Sequence, residues 1–394
     1  NSISLFVFEL FLILSKGHKG DTLGIHSLQD EKEINHQQES TGDVAIVDNR
    51  KGNEKAFLFV RIRPDTCSST NSTSLNLKGT CQEAGDCALQ GGTHAGTCAE
   101  GVGTCCVAQH TCGDYTRLKQ TYFVNPGHPK HDKSQGTCVY TVNRHDSTMC
   151  QIKLDMMKMS LTQPDERSGV CIQDVFQVLG GKGGETPPVC GDNDGQHMYI
   201  DFPAGGGPIK LSLDRVFSSS KRFWNIQVTQ IPCNSHLKAP SGCLQYYTDT
   251  MGTVSSFNFD PQHAPPYSSR QLSSQDYSVC VATGENHCSI EWEPQVENTR
   301  NSFLMSYNLN ALDPKVLGNL KTGSRQCKTD YISIPGAHGS DSIGMVGDRL
   351  CGLAFPHKVI SSSRPFMLYV KTDDNEEEDG GNSGFRLSYR QMPC

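Results

Sequence analysis

The stretch GVCIQDVFQVLGGKGGETPPVCGDNDGQH, Gly169 to His197, decides how the chain is read. It holds a strand-like run that begins at Cys171, a glycine-rich turn, and a return at Cys190. A weaker copy follows as RQCKTDYISI, Arg325 to Ile334, then a glycine-rich loop and DRLCG, with Cys327 and Cys351 in the matching places. Cys190 and Cys233 lie 43 positions apart, and so do Cys351 and Cys394. Two cysteine-framed units of the same kind therefore stand in tandem, and repetition on this scale outranks local signals.

Around these stretches the apolar residues recur at every second position. Cys150, Ile152, Leu154 and Met156 share one face, with Gln151, Lys153 and Asp155 on the other. Ile209, Leu211 and Leu213 alternate with Lys210 and Ser212, and Trp224, Ile226 and Val228 alternate with Asn225, Gln227 and Thr229. The second unit repeats the pattern at Phe385, Leu387 and Tyr389. Period two with one dry and one wet face is the mark of antiparallel sheet. Gly and Pro clusters at 126–127, 180–184 and 205–208 supply the turns. The expectation is an all-β protein of two antiparallel β-sandwiches, with Trp224 and Trp292 in their cores.

Composition narrows the function classes. A net charge of −7 gives a nucleic-acid partner no electrostatic support. Eighteen cysteines, an even number without CxxC pairs, argue for disulfides rather than structural zinc. Disulfides persist in oxidising compartments, so the chain is expected to be secreted and extracellular. Ser2 to Leu14 (SISLFVFELFLIL) is apolar but for Glu9 and too short to span a bilayer, which takes ~20 residues. Small residues Ser15 and Gly17 suit a cleavage site, so residues 1–17 read as part of a signal peptide that lacks its Met and basic start. No other apolar run is long enough for a membrane helix.

Residues 18–58 are polar and without a period, and read as a disordered linker. Asn71-Ser72-Thr73 is a glycosylation sequon. Residues 59–108 carry six cysteines, Cys67, Cys81, Cys87, Cys98, Cys105 and Cys106. So short a segment needs staples to fold. Six cysteines allow 15 pairings.

The endings GGTHAGTC (91–98) and GVGTCCV (101–107) resemble the clip-like or defensin-like modules of arthropod secreted proteins. That resemblance implies Cys67–Cys105, Cys81–Cys98 and Cys87–Cys106. TCGDY (111–115), TCVYTV (137–142), CQIKLDM (150–156), PVCGDNDGQHMYIDF (188–202) and RFWNIQVTQIPC (222–233), together with GVCIQDVFQV, resemble a CUB domain. A more divergent second set is SGCLQYY (241–247), YSVCVAT (277–283), CSIEW (288–292), CKTDYISI (327–334), RLCG (349–352), PFMLYVKTD (365–373) and GFRLSYRQMPC (384–394). The arrangement is similar to secreted arthropod proteins that pair a cysteine-rich module with CUB domains, here 109–234 and 241–394. The resemblance implies a jelly-roll sandwich for each unit, with Cys112–Cys138, Cys171–Cys190, Cys243–Cys280 and Cys327–Cys351 bridged. Cys150 with Cys233 and Cys288 with Cys394 are then the pairs left over.

Many CUB domains hold calcium between loops at one end. The resemblance implies Glu166, Asp174 and Asp214 as ligands in the first unit, and Asp330 and Asp373 in the second. Calcium takes about 6–8 hard oxygen ligands. The alternative reading is that these aspartates cap turns through main-chain N–H groups. The run DDNEEED, Asp373 to Asp379, reads as a solvated loop.

No catalytic constellation assembles. There is no HExxH, no P-loop and no GxGxxG that opens a helix, and His145-Asp146-Ser147 are consecutive and cannot converge as a triad. The expectation is therefore a non-catalytic protein that binds an extracellular protein or glycan. The alternatives are a structural component of a matrix, cuticle or assembled particle, which would self-associate, and a regulator in a protease or immune cascade.

Overall fold

Alternation along the chain becomes alternation across pleated sheets in the computed structural model, which describes residues 44–48, 58–70, 77–218, 220–260, 270–295, 302–306, 320–339, 347–374 and 382–394. The chain divides into two units, Asn1–Ala108 and Gln109–Cys394.

In the first unit β1 (Val44–Asp48) pairs antiparallel with β2 (Leu58–Ile62), with Val44 opposite Ile62. The segment 18–58, expected to lack regular structure, thus contains a strand, and the β-branched Val44, Ile46 and Val47 are the residues that favour it. The expected signal peptide, 1–17, and the sequon at Asn71 lie outside the described residues. Next come β3 (Thr66–Ser68), β4 (Lys78–Gln82), the short helix α1 (Ala84–Leu89), β5 (Gly92–Cys98) and β6 (Gly103–His110). Three disulfides, Cys67–Cys105, Cys81–Cys98 and Cys87–Cys106, form the centre of this module. The sulfurs fill the space that side chains would take elsewhere: a Cβ on Gly92 would lie 2.2 Å from Cys106 Sγ.

The second unit begins with β7 (Tyr115–Thr116), β8 (Gln120–Val124), β9 (Gly136–Val142), β10 (Met149–Ser160), β11 (Asp174–Leu179), β12 (His197–Asp201), β13 (Ile209–Arg215) and β14 (Phe223–Pro232). One sheet runs β12-β10-β14-β8 and the other β11-β13-β9-β7. Ile152, Leu154, Phe176, Val178, Leu211, Leu213, Trp224, Ile226 and Val228 are buried between them. Strand β10 carries a bulge between Met156 and Lys158, opposite Ile226 and Asn225. The extra residue reverses the parity, so Met157 is exposed and Met159 returns to the core.

A second sandwich follows: β15 (Cys243–Tyr247), β16 (Met251–Ser255), β17 (Asp276–Val281), β18 (His287–Pro294), β19 (Phe303–Leu304), β20 (Leu320–Thr322), β21 (Tyr331–Ser333), β22 (His338–Gly339), β23 (Arg349–Gly352), β24 (Val359–Ser361), β25 (Phe366–Lys371) and β26 (Gly384–Pro393). Its sheets run β15-β17-β25-β21-β23-β20 and β16-β26-β18-β24-β22. Trp292, Phe385, Leu387 and Tyr389 are buried in its core. The remaining bridges are Cys112–Cys138, Cys150–Cys233, Cys171–Cys190, Cys243–Cys280, Cys288–Cys394 and Cys327–Cys351. No cysteine is free. Cys150–Cys233 and Cys288–Cys394 tie an early core strand to the residue beside the last one, closing the longest loops. Among the described residues no helix is long and apolar enough to cross a membrane.

Candidate functional site

The loop end of the first sandwich is where the calcium ligands are expected. Asp174 opens β11 two residues before the buried Phe176, so strand alternation aims it inward, and it has no exposed surface. Arg222 stands two residues before the buried Trp224 and is equally enclosed. Arg222 donates its Nε–H to Asp174 Oδ1 at 2.6 Å. The other carboxylate oxygen, Oδ2, accepts the Thr162 N–H at 2.8 Å and the Thr162 hydroxyl at 2.6 Å. The guanidinium also donates to the carbonyl oxygens of Ser134 at 3.1 Å and Phe217 at 2.6 Å.

A second buried pair stands beside it. Arg215 lies opposite Asp174 in the β11–β13 register and donates to Asp132 Oδ2 at 2.9 Å. Burial alone would raise the Asp132 carboxyl, but Ser134 and the Arg215 guanidinium outweigh it and hold it below its ordinary value. Main-chain bonds between Asp132 and Arg222, at 2.8 and 3.0 Å, join the two pairs.

The expected calcium ligands do not converge. Asp214 has the opposite parity to Arg215 and is exposed on the outer face of β13. Glu166 is exposed, and its main-chain oxygen accepts Arg270 Nε–H at 3.1 Å. In the second sandwich Asp330 is buried, and its Oδ1 accepts the Asp373 N–H at 2.9 Å, a turn-capping contact. Among the described residues no three His, Cys, Asp or Glu side chains are grouped to hold a metal. Most of the acidic run that starts at Asp373 lies outside the described residues.

The seam between the two sandwiches is the other concentration of polar chemistry. Asn258 donates its N–H to Asn193 Oδ1 at 2.8 Å, and its own Oδ1 accepts the Asp192 N–H at 2.9 Å. Gln196 Nε2 reaches the carbonyl oxygens of Ser255 and Ser256 at 3.3 and 3.1 Å, while Gln245 donates to Gln196 Oε1 at 2.8 Å. Gln275 donates to the Pro188 carbonyl at 2.8 Å, and Arg270 reaches the Arg167 carbonyl at 3.1 Å. Gln151, a position that alternation makes solvent-facing, is buried because Ala239 of the connecting segment closes over it with an N–H···Oε1 bond of 2.9 Å.

His197 sits at the same seam. Its Nε2 accepts the Tyr246 N–H at 3.0 Å, and its ring meets those of Tyr247 and Tyr199 edge-on at 4.8 and 5.7 Å. Burial, with help from the Lys153 charge, pushes it down to about 4, against the opposing pull of Asp155.

An open cleft lies along β16, β26 and β18, lined by Met251, Glu291, Glu293, Ser388 and Arg390. Its charges are satisfied internally. Glu291 accepts Lys358 at 3.1 Å and Arg390 at 3.0 Å, and these cations keep its carboxyl below the ordinary value in spite of burial.

The sequence expectations did not include Arg222, Arg215, Asn258, Gln196 or His197. For the two arginines a signal is present: each falls on the inward parity of its strand, next to Trp224 and Leu213, where an unpaired charge is not tolerated. The seam residues carry no such signal.

Residues 240–392, in the second sandwich, match the family model for the animal CUB domain, so a CUB domain is present there. No curated protein matches the chain. Among solved structures, the CUB1-EGF-CUB2 domains of rat MASP-1 share 14% identity, over 72% of this chain and 99% of that one, with a TM-score of 0.24. The CUB1-EGF-CUB2 domain of human MASP-1/3 shares 17%, over 70% and 100%, with a TM-score of 0.24. The full extracellular region of zebrafish Gpr126/Adgrg6 shares 10%, over 73% and 37%, with a TM-score of 0.24.

Proposed function

We propose that the chain is a secreted, non-catalytic binding protein that engages a protein partner through the loop ends of two CUB sandwiches, 109–234 and 241–394, held in fixed orientation. The observation that carries this reading is the seam. Its buried hydrogen bonds through Asn258, Gln196, Gln245 and Gln275 are directional and cross the seam at several points, which restrains the contact they span. Two loop-bearing ends in fixed relation can grip one partner at two points, which multiplies affinity without new contacts.

The first sandwich supports the choice of a protein partner. Ile172, Val216 and Phe217 are exposed at 52%, 48% and 49% on its loop end. The Val216 N–H donates to the Gln173 carbonyl at 2.8 Å, which sets Ile172 beside the Val216-Phe217 pair. Adjacent exposed apolar side chains mark protein-binding surface. The bridged cysteines suit an oxidising compartment. The six-cysteine module, 59–108, serves in this reading as a clip-like appendage.

The test is binding of the purified, unreduced full chain to panels of extracellular proteins and glycans by surface plasmon resonance. Saturable binding of a protein, weakened about tenfold or more by Ile172→Ser with Phe217→Ser at unchanged melting temperature, is the expected result. Binding to glycans alone removes the protein reading. Concentration-dependent assembly seen by light scattering, without partner binding, favours a structural component. Co-purification with a protease places the chain in a proteolytic or immune cascade. Hydrolysis of a substrate, lost on changing one Ser, His or Asp, overturns the non-catalytic reading.

A further inference from the structure

We infer that the Arg222 guanidinium is the resident cation at the loop end of the first sandwich, standing where a divalent cation would otherwise gather the loops, so that this end is ordered without calcium. The atoms around it are hard oxygens of the type calcium takes, though three where calcium takes about 6–8: a carboxylate oxygen of Asp174 and the carbonyl oxygens of Ser134 and Phe217. The ligands come from three separate segments: the loop before β9, the start of β11 and the loop before β14. One cation holds all three. Here that cation is covalently part of the chain, and a guanidinium does not lose its proton in a protein.

The remaining geometry works against a metal. Asp174 Oδ2 already accepts two hydrogen bonds from Thr162, whose N–H and O–H point positive hydrogens at the oxygen a metal would need. Glu166 and Asp214, which would complete a carboxylate shell, are exposed, and Asp214 pairs with Val175 on the face of the sheet opposite to Asp174 and Arg215. A second buried cation at this end, Arg215, is taken by Asp132 and the Gly136 carbonyl at 2.9 Å each. The Arg222 bond to the Phe217 carbonyl is also what fixes the loop that displays Val216 and Phe217. The consequence is that any recognition through this loop end survives chelation.

Hydrogen–deuterium exchange on the unreduced full chain reads this locally, in peptides covering 130–137, 160–175 and 214–223. In the unchanged protein, uptake in all three is expected to be the same in EDTA and in about 5 mM calcium, a concentration above the ~10⁻⁴–10⁻³ M dissociation constants of weak extracellular sites. Faster uptake there on chelation overturns the inference. Arg222→Ala is expected to speed exchange in all three segments at once, with or without calcium. Unchanged exchange in that variant also overturns it. If the variant does not fold, the chelation comparison on the unchanged protein decides alone.

Discussion

Asn258 of the second sandwich and Asn193 of the first are joined by an N–H···Oδ1 bond of 2.8 Å, and both residues are almost fully buried. The backbone of Asn258 is left-handed, with φ 61°, a conformation Asn accepts more readily than most residues. That turn aims its amide across the seam, where Oδ1 takes the Asp192 N–H and Nδ2 donates to Gln163 Oε1 at 3.0 Å and to the Arg270 carbonyl at 2.9 Å. Asn258→Ala leaves buried partners unpaired and adds left-handed strain, for a loss of about 2–4 kcal/mol. Scanning calorimetry should show melting roughly 5–15 °C lower. An unchanged melting temperature would mean the seam contributes nothing to stability.

Gly191 lies directly under that amide. Its φ is +74°, and a Cβ there would lie 2.0 Å from Asn258 Oδ1. Gly195 has nearly the same φ, +76°, but open space around it. Alanine at Gly195 should therefore cost only the conformational strain, about 1 kcal/mol. Alanine at Gly191 must also push the seam apart and should cost at least ~2 kcal/mol more. Urea midpoints of the two variants separate the effects. Equal losses would show that the seam yields freely.

Alternation made the sandwiches legible in the sequence. Ile152, Leu154, Leu211, Leu213, Trp224, Ile226 and Val228 all lie on the faces their spacing assigns. The bulge at Met157 was not legible, because an inserted residue is set by partner geometry and not by local pattern. At the candidate site the aspartate was visible but its partner was not. Asp174 stands out beside Cys171, whereas Arg222 is recognised only once its inward parity is combined with the need to neutralise a buried charge. The seam was invisible for another reason. Gln151 and Gln196 sit where a lone sandwich would meet water; Ala239 of the connecting segment closes over the first, and Ser255 and Ser256 of the second sandwich cover the other. The resemblance was read most fully in the first unit, yet the family model matches the second, at 240–392.

The Arg222–Asp174 pair is a coupled unit, and the two residues should not be additive. Arg222→Met strands a carboxylate with no exposed surface, at a cost of about 3–5 kcal/mol. Asp174→Asn strands the guanidinium, although its amide oxygen can still accept from Thr162. Removing both together should cost less than the sum of the two, with a coupling energy of about 2–3 kcal/mol in a double-mutant cycle followed by urea unfolding. Additive losses would show that the two charges do not hold each other.

His197 makes the seam sensitive to acid. The unfolded ring takes up its proton near 6.5, while the buried ring resists until about 4. The folded value is the lower one, so the contribution is complete above about pH 6.5 and is lost as the pH falls toward 4. Over that window the loss is on the order of 3 kcal/mol. Burial sets the sign, and the charges around the ring modify it. Lys153 opposes a second positive charge, Asp155 favours it, and Tyr199, Tyr246 and Tyr247 stay neutral throughout. Protonation would also remove the lone pair that accepts the Tyr246 N–H. His197→Gln keeps a polar side chain but cannot titrate. It should lower stability at pH 7 through lost ring contacts, yet flatten the dependence between pH 6.5 and 4 by up to about 1.4 kcal/mol per pH unit. His110, lowered by its own burial, keeps part of the slope in both proteins, so only the difference between them reports on His197. Parallel stability curves across that range would show that His197 is protonated with the same ease folded and unfolded, and that the seam does not respond to acid through it.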